Sequence, residues 1–158
     1  MRGAVNAWAP TVRLYGVAVP VGGVVGVTVI TRIGRIDHKG IVTDRYGSDG
    51  EPTILHASDL YGHVVETEAA EFMQRAVGPV RFVGYLGELP PAEVLRRARA
   101  RLGERYRTLT ANCEHYATGV HGLAPESPQV RGWTIVGLLT AATLGTLAVV
   151  AAIDISRA

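Results

Sequence analysis

The sequence predicts an α+β fold, a small antiparallel sheet packed with helices and followed by a C-terminal hydrophobic helix. Three observations carry this. Short Val- and Ile-rich runs between residues 24 and 83 are separated by glycine turns, the pattern of strands joined by hairpins. A proline-led amphipathic stretch follows at 91–102. An uncharged run of 21 residues, 133–153, stands near the end of the chain.

The 158 residues suffice for one domain with a sizeable core. The chain is 47% hydrophobic and 19% charged, with a net charge of +2 and a mean hydropathy of +0.18, so it collapses rather than staying disordered. Acids are interleaved with the basic residues, which speaks against a nucleic-acid binder despite a pI of 8.9. Fifteen of the sixteen basic residues are Arg and only Lys39 is Lys, the mark of a GC-rich bacterial coding sequence rather than of an interface. The single cysteine, Cys113, excludes an intramolecular disulfide framework and a multi-cysteine zinc ribbon. It is either a small buried hydrophobe or a nucleophile.

Residues 1–19 form an N-terminal lead segment with no export signal, since Arg13 interrupts any apolar run. The first strand is 24–32, where Val24, Val25, Val27 and Val29 crowd together. A second strand, 38–44, begins at His38, and a third, 53–57, carries His56. Gly47-Ser48-Asp49-Gly50, with Pro52 beyond, turns one into the other, so both histidines sit on one hairpin. Residues 63–67 and 80–83 are further strands, with a short helical stretch at 68–76 between them. Pro90-Pro91 opens the helix 91–102 and Gly103 ends it. Val94, Leu95, Ala98 and Leu102 form its apolar stripe, and Arg96, Arg97, Arg99 and Arg101 a solvated face rather than a lipid contact. Residues 123–132 are a linker.

A helix over 133–153, Trp133 to Ile153, has the length to cross a bilayer, and its alternative is a buried hairpin helix. Gly137, Ala141 and Gly145 fall four apart and offer a face for homo-oligomer contact. Fourteen of the fifteen Arg lie in residues 1–132, which places that part of the chain on the cytoplasmic side of a C-terminal membrane anchor.

Chemistry concentrates around Cys113. Asn112 is a good N-cap, with an oxyanion contact as its alternative role, and Glu114 stands in the first turn. Cys113 at the helix start meets unpaired N–H groups that lower a thiol pKa and receive an oxyanion. A nucleophilic thiol needs an imidazole to take its proton and a third group to orient that imidazole, roles open to His38 and His56. His115 is read as a structural hydrogen-bonding group rather than a substrate contact. His63 and His121 are read as surface residues, and Tyr46 and Tyr106 as core residues rather than the lining of a lipid groove. A zinc site built from Cys113, His38, His56 and His115 has the ligand types but no recognised spacing.

Asn112-Cys113-Glu114-His115-Tyr116 resembles the Asn-Cys-Glu-His-Phe motif of the lecithin:retinol acyltransferase family, with Tyr116 for Phe. His38-Lys39-Gly40-Ile41-Val42 and Ile54-Leu55-His56-Ala57 resemble its two histidine strands. Val64-Val65-Glu66, Val80-Arg81, Leu89-Pro90-Pro91 and Leu102-Gly103-Glu104-Arg105-Tyr106 follow in the family's order, so the likeness covers residues 20–122. The histidine spacing is longer, because 45–51 looks inserted. The resemblance implies a circularly permuted papain-like fold within the wider cell-wall amidase and peptidase superfamily. It also implies a Cys113 acyl-thioester, with His38 as base and His56 as orienting group and with no cofactor. The acyl donor it implies is a membrane phospholipid, and the acceptor is an amine, an alcohol or water. An amide-cleaving enzyme and a non-catalytic tail-anchored module are the alternatives.

Overall fold

A computed structural model describes residues 9–31, 34–107 and 112–124. Strands β1 (Thr11–Leu14) and β2 (Val17–Pro20) pair as a hairpin. Five strands form the main antiparallel sheet: β3 (Val24–Thr31), β4 (Gly34–Tyr46), β5 (Pro52–Ser58), β6 (His63–Thr67) and β7 (Arg81–Gly84). Their spatial order is β6-β5-β4-β3-β7. Among the described residues three helices join them, α1 (Ala69–Phe72), α2 (Pro91–Ala100) and α3 (Cys113–Val120). The architecture is therefore α+β, with one five-stranded antiparallel sheet, one small sheet and few helices.

Alternation along the central strands gives the sheet two apolar faces. Val24, Ile41, Leu55 and Val64 meet α2 and α3 through Leu95, Ala98, Tyr116 and Ala117. Val25, Val27, Val42 and Ile54 meet Phe72 of α1 and Leu14 and Val19 of the hairpin. Side chains one residue apart thus serve opposite cores. A fully buried Val, Leu or Ile contributes about 1.5–3 kcal/mol, so the two clusters outweigh any single polar contact in fixing strand register.

Several expectations change. The lead segment 1–19 contains most of the β1–β2 hairpin, so the folded unit extends N-terminally of residue 20. Its signal was a two-residue turn, Tyr15-Gly16, with φ of 46° and 82°. The second strand is longer than 38–44 because it pairs with β3 from Thr31↔Gly34 to Val24↔Ile41. The helical stretch 68–76 shrinks to four helical residues, and α2 closes at Ala100. Leu102 leaves the apolar stripe and is exposed. The α2 arginines are ion-paired rather than merely solvated: Arg96 and Arg97 to Glu93, Arg99 to Asp44 and Glu66, and Arg101 to Glu104. Tyr46 is 60% exposed and not core, while Tyr106 packs against the α2–α3 cluster. The segment 133–153 lies outside the described residues, and among those no helix is long and apolar enough to cross a membrane.

The turn at 47–50 forms as expected, with Gly50 N–H donating to Gly47 C=O at 3.1 Å. It brings β5 back along β4 in the pairs Ile41↔Leu55 and Val42↔Ile54. Gly40 is the tightest point of this hairpin. A Cβ there overlaps Ile54 Cγ2 and meets Phe72 Cε2 at 3.0 Å and His56 Cβ at 3.4 Å. Gly40→Ala should therefore destabilise the fold by about 1–3 kcal/mol, the usual range for overpacking. Urea unfolding monitored by circular dichroism checks this, and a variant as stable as the parent contradicts the packing described.

Candidate active site around His38, His56 and Cys113

His38 on β4 and His56 on β5 project onto the face covered by α1. His38 Nε2 lies 2.9 Å from His56 Nδ1, and His56 Nε2 lies 3.1 Å from Thr67 Oγ1 on β6. Phe72 stacks on the His38 ring and meets the His56 ring edge-on, with centroids 5.0 and 5.1 Å away. Burial pushes both imidazoles down, His38 to about 4 and His56 to about 3. For His56 the neighbouring His38 adds to the effect. Each ring is thus neutral at pH 7 and carries one proton. In the polarity a base requires, His38 Nε2–H donates to His56 Nδ1 and His56 Nε2–H donates to Thr67 Oγ1. His38 Nδ1 is then the proton acceptor. A cavity of about 20 Å³, room for a water or so, is lined by His38, His56, Ser58, Glu71, Phe72 and Arg75.

Cys113 is buried at the first position of α3. The Asn112 side chain caps the helix, accepting from Glu114 N–H at 3.1 Å and His115 N–H at 3.0 Å. The same oxygen accepts from His115 Nδ1–H at 2.9 Å, which makes His115 a structural hydrogen-bonding residue of the cap. These cap bonds occupy two of the N–H groups expected to receive an oxyanion. Tyr116 fills the core of its face and donates its hydroxyl to Ala98 C=O at 3.1 Å.

The thiol donates to Asp37 C=O at 3.7 Å, and the backbone N–H of Lys39 favours its ionised form. The sulfur therefore lies along the β4 backbone on both sides of residue 38. The reason is local. Val42 N–H and C=O bond toward β3, so by alternation Asp37 and Lys39 turn theirs toward β5. The β4–β5 ladder does not continue below Ile41↔Leu55, and Cys113 enters at that open edge. The thiol and the imidazoles thus reach β4 from different sides, and among the described residues no hydrogen bond joins Cys113 to His38 or His56.

The helix start was expected to lower the thiol pKa. Instead burial pushes it up to about 11, because desolvation outweighs the N–H groups of Lys39 and of Cys113 itself. The four imagined zinc ligands do not converge: the two histidines pair with each other, Cys113 binds Asp37 and His115 binds Asn112. His121, expected at the surface, is 2% exposed and stands edge-on to Tyr85. His63 is half-buried beside Tyr61.

Thr67 and Phe72 escaped the sequence reading. The alternation of His63–Thr67 carried the signal for Thr67, since it places Val65 and Thr67 on the face that His56 and Ile54 share. Lys39 escaped it too, because an ion pair between residues 75 apart leaves no local trace.

Histidines held neutral below their ordinary pKa make stability pH-dependent. The unfolded chain takes up protons below about pH 6.5, whereas folded His38, His121 and His56 wait until about 4, 4 and 3. Their stabilisation is complete above pH 6.5 and is lost as pH falls toward 4, a change of a few kcal/mol. Urea midpoints at pH 7 and pH 5 should show a marked fall that shrinks in His56→Gln, and equal midpoints contradict the burial. No protein-family model, curated protein or solved structure matches this chain.

Proposed function

We propose that this protein is a thiol-dependent acyltransferase or acyl hydrolase, of the kind that the resemblance to the lecithin:retinol acyltransferase family implies. The observation that carries the reading is the placement of the Cys113 sulfur against the β4 backbone on both sides of His38, with His38 held by His56 and His56 in turn by Thr67. A scaffold has no physical need to bring a buried cysteine and a hydrogen-bonded histidine pair to one stretch of strand. The finer fold reading, a circularly permuted papain-like arrangement with 133–153 as membrane anchor, belongs to the same proposal. So do a phospholipid donor and a cytoplasmic catalytic domain.

In the resting arrangement thiol and imidazoles are all neutral, and the thiol proton faces Asp37 C=O. Reaction begins when the Cys113 sulfur and His38 Nδ1 come within hydrogen-bond reach, with His38 Nε2–H kept on His56 Nδ1. The S–H bond breaks and its proton passes to Nδ1. The thiolate then adds to the ester carbonyl of the phospholipid. The tetrahedral oxyanion is received by the Cys113 N–H, which the Asn112 cap leaves at the helix start. Collapse of this intermediate breaks the acyl C–O bond, and His38 returns its proton to the departing lysophospholipid oxygen. The Cys113 thioester is next attacked by an amine, an alcohol or water, whose proton His38 accepts and hands to the sulfur. His56 orients the base and Thr67 orients His56, the roles of a third and fourth member in such a chain.

Intact-protein mass spectrometry after incubation with phosphatidylcholine vesicles tests the reading. The wild type should gain one fatty-acyl group and Cys113→Ala none. Release of lysophospholipid should disappear in Cys113→Ala, fall about 10²–10⁴-fold in His38→Ala, and fall less in His56→Ala. An unmodified wild type whose Cys113 still reacts quickly with iodoacetamide overturns the phospholipid reading in favour of amide cleavage. Full activity in Cys113→Ala overturns the mechanism at its root.

A further inference from the structure

We infer that Lys39, through its ion pair with Glu114, is a positioning residue that holds the first turn of α3 on β4 and sets the charge around the Cys113 sulfur. The inference rests on the reading of Cys113 as a nucleophile for its relevance to acyl transfer, and on geometry for its substance.

Lys39 Nζ lies 2.9 Å from Glu114 Oε1, with the two side chains 22% and 5% exposed. Glu114 follows Cys113 directly, and Lys39 follows His38 directly. Two successive residues of α3 are therefore held by one short stretch of β4. The backbone of Asp37 and Lys39 meets the sulfur, and the side chain of Lys39 meets the next residue's carboxylate. A carboxylate this deeply buried is tolerable only when paired, so the pair locks the helix start against the strand.

The pair also balances charge at the sulfur. Glu114 disfavours the thiolate and Lys39 favours it, so Lys39 offsets a carboxylate that the Asn112 cap keeps in the first turn. The other groups near this point are accounted for: Asp37 pairs with Arg81, Asp59 pairs with Arg75, and the Tyr106 hydroxyl that faces Cys113 is kept neutral by burial. Lys39 is the single lysine of the chain, in a protein that uses arginine everywhere else. Its compact ammonium makes a one-point contact with Glu114 Oε1.

The test is the pH profile of Cys113 alkylation by iodoacetamide, which reports one site because the chain has one cysteine. It is run on the full chain and on Lys39→Met, Lys39→Arg, Glu114→Gln and the Lys39→Met/Glu114→Gln double variant, with thermal unfolding beside it. Lys39→Met should move the profile upward by about one pH unit, a tenfold loss of thiolate at fixed pH. Lys39→Arg should recover most of the shift, and Glu114→Gln should move the profile downward. The double variant should return near wild type. A Lys39→Met profile that superimposes on wild type overturns the inference. If that variant does not fold, a Glu114→Gln profile at or above the wild-type pH overturns it equally.

Acyl-adduct formation from phosphatidylcholine, measured on the same proteins, separates the two claims. A wild type without adduct defeats the functional reading while the alkylation profiles still decide the role of Lys39. An adduct in wild type that forms in Lys39→Met only at higher pH supports both. Equal adduct rates and equal profiles defeat the inference alone.

Discussion

Residues 37–39 of β4 are the constraint on which the candidate site depends. The side chain of His38 joins the α1 face, where it pairs with His56 at 2.9 Å. The backbone of Asp37 and Lys39, turned toward an open edge, receives the Cys113 sulfur. The side chain of Lys39 holds Glu114. Three consecutive residues thus connect both faces of the sheet and the stretch of β4 where its ladder with β5 stops. A shift of register by one residue exchanges the faces and separates every partner at once. The two hydrophobic clusters that flank β4 prevent that shift, since Ile41 and Val42 are each fully buried on opposite sides.

Burial sets the protonation states more strongly than charge does. The thiol is pushed up and the histidines down by the same cause, loss of water, and each group is left neutral. A neutral thiol beside a neutral imidazole is an inert pair until the two are brought together and the oxyanion is stabilised. The thiol and the imidazoles accordingly stand on two sides of one strand. The Asn112 cap fixes the helix start by accepting from Glu114 N–H and His115 N–H.

Much of this was legible in the sequence. Val- and Ile-rich runs and the Gly47–Gly50 turn mark the hairpin that unites His38 and His56, and Asn112 marks the start of α3. Other features were not, for physical reasons. The Tyr15-Gly16 turn lacks the usual Asn-Gly signal, so the β1–β2 hairpin passed as a lead segment. The face that each histidine occupies depends on which core each strand residue serves, and strands buried on both faces show no alternation to read. The thiol's environment depends on the break in the β4–β5 ladder below Ile41, a tertiary event without a local signature. His121 looked like a surface residue because its burial arises from packing against Tyr85, far away in sequence.

The central claim is that His38 and His56 form a buried, neutral, hydrogen-bonded pair beside the segment that meets Cys113. Nitrogen-15 NMR of histidine-labelled protein between pH 5.5 and 8 tests it most directly, because ring nitrogen shifts distinguish the two neutral tautomers from the cation. The account predicts that both rings stay neutral across this range, with His38 protonated on Nε2 and His56 on Nε2. Titration of either ring near pH 6.5 contradicts it.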